Sequence, residues 1–236
     1  FSKITGASIS AALGHSFFSL SLGMGCMITY GSYVDRKTAL PGAAIQVCFI
    51  DTMVAILAGL VIFPAVFAFG VDAGAGPGLT FVTLPSVFAK MPGAMIWSGL
   101  FFLLLFIAAL TSAISRLEVV SAYFIDKGWS RPQAAIIMGL LIFALGIPSA
   151  MSLAGAPKVA GKDFLDAMDF ISSNVLLPLG GVFISLFVGW FWTSDAEKEV
   201  TNEGTLTFGL MSMWIWVCRV IAPAAILYIF YTGLKW

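Results

Sequence analysis

Residues 17 to 25 decide the fold of this chain, and they read Phe17-Phe18-Ser19-Leu20-Ser21-Leu22-Gly23-Met24-Gly25. They lie inside a long apolar segment, where Gly23 and Gly25 weaken helical hydrogen bonding and allow the backbone to open. Unwound backbone at membrane depth persists only where it is buried in protein or lines a cavity, and there it presents free carbonyls and amides to ions. The same glycines are typical of close helix packing through small residues, so two interpretations stay open.

The composition around this stretch is that of an integral membrane protein. Of the 236 residues, 60% are hydrophobic and only 10% are charged, and the mean hydropathy is +1.00. A soluble domain carries about 25% charged residues, so much of this exterior must face something other than water. The formal net charge of +0 and the lack of Lys and Arg clusters argue against a nucleic-acid binder. The three cysteines lack the spacing of a disulfide framework or a zinc site.

Six apolar segments are each long enough to cross a bilayer as a helix of about 20 residues. The predicted fold class is therefore all-α, a polytopic membrane helix bundle that forms a single transmembrane domain over residues 1–236. A structured outer loop with one short helix is expected at residues 72–93, where Gly74, Gly76 and Pro77 break any longer helix. The six predicted helices, the first of them broken mid-membrane, cover about residues 11–34, 42–69, 96–125, 134–153, 171–192 and 208–231.

Polar side chains inside these segments are functional candidates, because burying them in a bilayer is costly. Thr111 and Ser112 offer hydroxyl oxygens, which suit hard cations such as sodium, but Ser and Thr in helices also often bond back to their own backbone. Asp51 could coordinate a cation, carry a proton or lie near the headgroups. Arg219, in the last segment, is expected to pair with a carboxylate or to reach a wet cavity.

Several motifs together resemble the second half of a bacterial neurotransmitter:sodium symporter, a family with the leucine-transporter fold. Residues 17–25, followed by Thr29-Tyr30-Gly31-Ser32-Tyr33, resemble the sixth helix of that family, which is unwound at its centre. The resemblance runs in order over nearly the whole chain and would make the six segments helices six to eleven. The other matching motifs are Asp51-Thr52-Met53-Val54-Ala55-Ile56-Leu57-Ala58-Gly59 for the seventh helix, Gly76-Pro77-Gly78-Leu79-Thr80-Phe81 for the large outer loop, Leu110-Thr111-Ser112-Ala113-Ile114-Ser115 for the eighth helix and Met168-Asp169-Phe170 for the start of the tenth.

The resemblance implies two sodium sites. Ser19 and Asp51 would contribute to the site that touches the substrate. The backbone carbonyl of Ala108 and the hydroxyls of Thr111 and Ser112 would form half of the second site. The other half of both sites would lie on the first helix of the family, one of five helices that this chain lacks. The chain is therefore expected to be a truncated piece that does not transport by itself.

The resemblance also implies an amino-acid pocket and a gate. Phe18 would be the outer lid of the pocket, and Asp169 would be half of an extracellular gate. Arg116 departs from the apolar residue that most relatives carry at this position. Either it faces the substrate and favours an acidic group, or it turns away to pair with a nearby acid such as Glu118. The residues that would line the pocket are Phe18, Ser19, Ser21, Leu22, Gly23, Met24, Ser112 and Arg116.

The function implied is sodium-coupled symport of an amino acid by alternating access, in a multi-pass protein of the bacterial cytoplasmic (inner) membrane. The loop at residues 35–37 would be cytoplasmic and the glycine-rich loop extracellular. Partners would be the amino acid, sodium, membrane lipid and the missing five helices, with no cofactor besides the coupling ion and no nucleic acid. The alternative class is an ion channel or a structural membrane bundle, and an enzyme is disfavoured because paired catalytic groups are lacking.

Overall fold

The computed structural model describes residues 4–68, 70, 78–152, 154–155, 157–159 and 161–234. Its internal contacts divide the chain into two compact units. The first unit combines Phe1–Ile45 with Arg116–Trp236, and the second is Gln46–Ser115. The expectation of one transmembrane domain over residues 1–236 stays a prediction.

The first predicted span is two helices rather than one. Helix α1 (Gly6–Ser19) starts earlier than the predicted residue 11, because the Thr5 hydroxyl caps it by accepting a hydrogen bond from the Ser8 amide at 3.2 Å. Helix α2 (Cys26–Gly31) follows after six residues that are not helical. The break that the glycines predict near the middle of this span is therefore confirmed.

The remaining elements follow in chain order. Four short π-helical segments, which the sequence does not predict, occur in the described chain at Leu79–Thr83, Ile171–Leu176, Phe187–Phe191 and Val217–Ile221. The other elements are α3 (Leu40–Ala68), α4 (Leu84–Phe88), α5 (Ala94–Asp126), α6 (Arg131–Ser152), β1 (Lys158–Val159), β2 (Lys162–Asp163), α7 (Phe164–Phe170), α8 (Leu177–Leu186), α9 (Thr193–Val200), α10 (Met211–Trp216) and α11 (Ala222–Gly233).

Within the described residues, five helices are long and apolar enough to cross a membrane. They confirm five of the six predicted spans. The sixth is the broken one, whose pieces of 14 and 6 residues are each shorter than a bilayer requires. The π-helical segments Ile171–Leu176 and Val217–Ile221 join α7 to α8 and α10 to α11, so that each pair forms one continuous helix. The five helices are Leu40–Ala68, Ala94–Asp126, Arg131–Ser152, Phe164–Phe191 and Met211–Gly233.

Local capping explains why α6 begins at Arg131 and not at the predicted residue 134. The Ser130 amide donates to Gln133 Oε1 at 3.3 Å, and the Ser130 hydroxyl lies 3.0 Å from the same oxygen. A side chain that reaches back to the residue preceding the helix satisfies an amide that has no helical partner. The helix can therefore begin one residue after Ser130, before the apolar run starts.

The short outer-loop helix is present in the second unit. Helix α4 directly follows the π-helical turn Leu79–Thr83 and packs on the end of α3 through Val66, Leu84 and Val87, which are all buried. This confirms the short helix expected at residues 72–93. The glycine-rich start of that loop, with Gly74, Gly76 and Pro77, lies outside the described residues.

A small antiparallel hairpin departs from the otherwise helical architecture of the first unit. Lys158 is the register partner of Asp163, and Val159 is the register partner of Lys162. Gly161 has a φ of 84°, a conformation that glycine adopts without strain. The sequence does not predict this hairpin, because two-residue strands carry too little alternation to be recognised.

Helices α1, α8 and α11 share the core of the first unit. Phe17 from α1, Val182 from α8, and Ile226 and Ile229 from α11 form one cluster, and each is at most 9% exposed. The cluster lies immediately before the break in the first span. It holds the end of α1 in place while the chain beyond it leaves the helical path.

Candidate functional site

The end of α1 is closed by a Schellman motif, with a serine where glycine is usual. The Ser21 amide donates to the Phe18 carbonyl at 3.1 Å, and the Leu22 amide donates to the Phe17 carbonyl at 2.8 Å. Ser21 occupies the left-handed position with a φ of 55°. At the end of α5 the same pair of hydrogen bonds forms around Gly128, and glycine adopts the left-handed conformation without steric strain. The break at residue 21 is therefore a strained conformation held by its surroundings.

Two further left-handed residues, Gly23 and Gly25, carry the chain from this motif into α2, with φ of 77° and 83°. Gly23 also packs directly against α8. A Cβ atom placed on Gly23 would overlap the carbonyl oxygen of Leu177, and one placed on Gly180 would overlap the carbonyl oxygen of Gly23. Both interpretations of the glycines are thus realised at once, because the chain is unwound and its backbone contacts another helix closely.

A largely apolar cavity of about 580 Å³ opens beside the break within the first unit. Three of the residues expected to line the amino-acid pocket, Ser21, Leu22 and Gly23, line this cavity, together with Gly25 from the break. The opposite walls come from α8 and from the helix that contains α10 and α11. Phe18, Ser19 and Met24 are not among its lining residues. The structure therefore brings only part of the predicted pocket set around one cavity.

Arg116 and Phe18 are brought together in the first unit. The guanidinium carbon of Arg116 lies 5.2 Å from the centroid of the Phe18 ring, within the range of a cation–π contact. Glu118 does not pair with Arg116. It binds Arg131 through an ion pair of 2.7 Å, so the alternative in which Arg116 turns to Glu118 is not the arrangement found.

Glu118 is the centre of a three-residue network. Its Oε1 atom accepts hydrogen bonds from the Tyr33 hydroxyl and from Arg131 Nη2, both at 2.7 Å. The network joins the segment after α2 to α5 and to the first turn of α6. The Glu118 side chain is only 17% exposed, whereas that of Arg131 is 67% exposed. The sequence indicated Glu118 only as a possible partner of Arg116, and neither Tyr33 nor Arg131 was predicted as its partner.

Substitution of Glu118 tests this network. Glu118→Ala is expected to lower the stability by about 1–2 kcal/mol, because one change removes the acceptor of two hydrogen bonds. Tyr33→Phe and Arg131→Gln should each cost less. Thermal unfolding in detergent micelles measures the differences, with Lys198→Gln as a control because its ion pair with Asp195 is exposed. Equal stability of Glu118→Ala and the control would contradict a structural role for the network.

The second unit holds the remaining sodium candidates. The Thr111 hydroxyl donates to the Ala108 carbonyl at 2.8 Å, which is the backbone bonding that the sequence left open as an alternative. This bond places two oxygens side by side, and the hydroxyl oxygen keeps its lone pairs for a cation. Ser112 is exposed and Asp51 is half-buried in α3. Within the described residues, no three His, Cys, Asp or Glu side chains are grouped to hold a metal ion.

Asp169, the predicted gate residue, lies exposed near the end of α7. Its Oδ1 atom accepts a hydrogen bond from the Ser173 hydroxyl at 3.0 Å, one helical turn later. This contact orients the carboxylate along its own helix. A second carboxylate, Asp195 on α9, accepts a hydrogen bond from Lys198 at 2.8 Å, which raises the pKa of Lys198. Lys198 lies on the exposed surface of α9.

Arg219 contacts groups that the sequence did not indicate. Its Nε atom donates to the carbonyl of Gly189, and its guanidinium carbon lies 5.6 Å from the centroid of the Trp190 ring. Of the two alternatives expected for Arg219, the carboxylate partner is not found within the described residues, where its partners are a backbone carbonyl and the Thr193 hydroxyl at 3.5 Å. Both helices are π-helical at this contact, which displaces carbonyls from their usual helical partners. Periodicity alone could not have located this site.

Comparison with known proteins places these features in a family context. Residues 1–235 match the sodium:neurotransmitter symporter family. An uncharacterised sodium-dependent transporter of Bacillus subtilis (strain 168), YhdH, is 40% identical over 236 residues, which are 98% of this chain and 52% of that protein. An uncharacterised sodium-dependent transporter of Haemophilus influenzae is 37% identical over 238 residues, covering 99% of this chain and 52% of that protein.

A solved structure is also similar. The crystal structure of MhsT in complex with L-phenylalanine is 49% identical, has a TM-score of 0.86, and matches 97% of this chain and 52% of that chain. The chain therefore spans about half the length of the relatives that it matches.

Proposed function

The chain belongs to the sodium:neurotransmitter symporter family, and from that membership we propose that it forms part of a symporter that couples the entry of an amino acid to sodium by alternating access. It is a multi-pass protein of the bacterial inner membrane. Its family consists of transporters and not of enzymes. Amino-acid transport is supported by the L-phenylalanine complex of MhsT, to which 97% of this chain is similar.

The observation that carries the proposal is the strained break at Ser21–Gly25. Unwound backbone in a membrane segment is costly unless it serves a buried or cavity-lining purpose. Here the break is stabilised by a Schellman motif, packs against α8 and lines a cavity of about 580 Å³. Such an arrangement provides a place where substrate and ions can reach backbone groups in the middle of the membrane.

The sodium and substrate roles follow unit by unit. In the second unit, we assign the Ala108 carbonyl, the Thr111 and Ser112 hydroxyls and the Asp51 carboxylate to sodium binding. In the first unit, Ser19 contributes to sodium binding, and Phe18 and Asp169 act as gates. Ligands from a segment outside these 236 residues complete the ion sites. The break residues Ser21, Leu22, Gly23 and Met24 provide the substrate contacts, and sodium binding orders them around the amino acid.

Uptake into proteoliposomes tests the proposal. The full-length protein is reconstituted and given radiolabelled amino acids under an inward sodium gradient, with a potassium gradient as the reference. Accumulation above the external concentration, only with sodium, is the expected result. A sodium current without concentrative uptake would indicate the channel alternative, and the absence of both would indicate a structural bundle. Either outcome overturns the symport proposal.

Thr111→Ala tests the sodium role. Loss of one hydroxyl ligand is expected to raise the sodium concentration for half-maximal uptake by about tenfold, which corresponds to about 1.4 kcal/mol. The matched control is Thr232→Ala, because the Thr232 hydroxyl also bonds back within its own helix, to the Tyr228 carbonyl at 3.0 Å. If Thr111→Ala and Thr232→Ala both keep the wild-type sodium concentration for half-maximal uptake, Thr111 is not a sodium ligand.

A further inference from the structure

Arg116 is a cation within the apolar helix α5, and its side chain is exposed on that helix. It lies ten residues before the end of the 33-residue helix α5, which corresponds to about 15 Å along the axis. A guanidinium within a membrane-spanning helix costs free energy unless a counter-charge or a set of hydrogen bonds compensates it. The nature of that compensation decides what the residue does.

No carboxylate of the described chain supplies this counter-charge by an ion pair. The ion pairs of the described residues do not include Arg116, and the acid that is nearest in sequence, Glu118, is already bound by Arg131 and Tyr33 at 2.7 Å. The contact that the structure shows is the face of Phe18, at 5.2 Å. An aromatic face orients the guanidinium plane but leaves its N–H donors available.

Arg219 shows how the same chain holds an arginine that has a structural role. Its guanidinium also lies over an aromatic ring, that of Trp190, but its N–H groups reach the Gly189 carbonyl and the Thr193 hydroxyl. The chain thus uses its own oxygens to bind one intramembrane arginine. Arg116 has the aromatic contact without a corresponding set of oxygens among the described residues.

The position of this contact points to the substrate. Phe18 lies in the last turn of α1, three residues before Ser21, where the chain leaves the helix. Its neighbour Phe17 and the break residue Ser21 line the cavity, whereas Phe18 and Arg116 lie beside the break without lining it. We propose that Arg116 binds the side-chain carboxylate of an acidic amino-acid substrate, with Phe18 holding the guanidinium plane in position. The inference rests on the proposed function and names the substrate class of that site.

A carboxylate is the group that matches the available donors. The guanidinium fork can donate two parallel hydrogen bonds to the two oxygens of a carboxylate, and such charge-assisted pairs are stronger than neutral ones. The L-phenylalanine of the MhsT complex carries no side-chain carboxylate. The inference therefore predicts that this protein and MhsT differ in the side chain that each prefers.

Competition between glutamate and leucine tests the inference. The full-length protein in proteoliposomes takes up radiolabelled substrate in sodium, and each unlabelled amino acid competes. Glutamate is expected to compete better than leucine. The measured quantity is the half-inhibitory concentration of leucine divided by that of glutamate. In Arg116→Leu this ratio should fall by about 10- to 100-fold, because a charge-assisted hydrogen bond contributes about 1.5–3 kcal/mol. Arg116→Lys should keep part of the preference.

The ratio is measured within each variant, so it does not depend on the amount of folded protein. Arg36→Leu is the control, since it removes a positive charge whose side chain is 87% exposed and should leave the ratio unchanged. If Arg116→Leu does not fold, Arg116→Gln replaces it. A wild-type preference for leucine, or an unchanged ratio in the Arg116 variants, would overturn the inference while sodium-dependent uptake stands. Loss of sodium-dependent uptake for every amino acid would overturn the proposed function as well.

Discussion

Gly23→Ala is expected to lower the free energy of unfolding by about 3 kcal/mol or more and to abolish uptake. Two effects add up at this position. Alanine at a φ of 77° is strained by about 1–3 kcal/mol. The new methyl group would also overlap the carbonyl oxygen of Leu177 on α8, and a backbone atom cannot move aside as a flexible side chain can. Thermal unfolding in detergent micelles and uptake into proteoliposomes measure the two effects.

Gly31→Ala is the matched control for Gly23. Gly31 ends α2 in the same broken span, has no left-handed φ, and a Cβ atom there would meet nothing within 4 Å. Alanine should be neutral or slightly stabilising at this position. If Gly23→Ala proves as stable as Gly31→Ala, the close packing of the break against α8 is wrong. If it is unstable but still transports, the break has no role in substrate movement.

Gly189→Ala is expected to destabilise the protein by about 2–3 kcal/mol, in the upper part of the range for overpacked sites. A Cβ atom on Gly189 would lie 2.9 Å from Arg219 Cγ and 3.0 Å from both the Cα and the amide nitrogen of Arg219. Two of these three atoms belong to the backbone, so the helices themselves must separate. Their separation would also break the hydrogen bond from Arg219 to the Gly189 carbonyl.

Gly146→Ala controls for the general effect of alanine in a membrane helix. Gly146 lies inside α6, and a Cβ atom there would meet nothing within 4 Å, so the helix should gain slightly. The fraction of protein that stays monodisperse after heating distinguishes the two variants. Similar curves for Gly146→Ala and Gly189→Ala would mean that the helices do not approach closely at Arg219.

The membrane spans could be predicted because their signal is local. A run of about 20 apolar residues predicts a helix wherever it occurs, and five such helices are found at the predicted places in the described chain. The predicted first residues of the helices were less accurate. Helix α6 starts at Arg131 because the Gln133 side chain accepts a hydrogen bond from the Ser130 amide just before the helix. Helix α1 starts at Gly6 because the Thr5 hydroxyl caps its first turn. The capping residues are of types that commonly cap helices, but they lie before the apolar segments from which the helix starts were predicted.

The break was predictable as a possibility, and its form was not. Gly23 and Gly25 indicated weak helix formation, which left both unwinding and close packing open. The left-handed conformation of Ser21 has no such signal, because serine seldom adopts it. It is maintained by the Schellman hydrogen bonds and by the packing of Phe17 with α8 and α11.

The sequence by itself determined that this chain crosses a membrane repeatedly and that its first span is prone to unwind, because hydropathy and helix propensity act over neighbouring residues. Only the tertiary structure decided the partners of Glu118, Arg219 and Gly23. Each of these partners depends on how closely segments that are distant in the chain approach one another, and a hydrogen bond or a steric overlap forms only within a few ångströms. The pattern of residue types carries no measure of that distance.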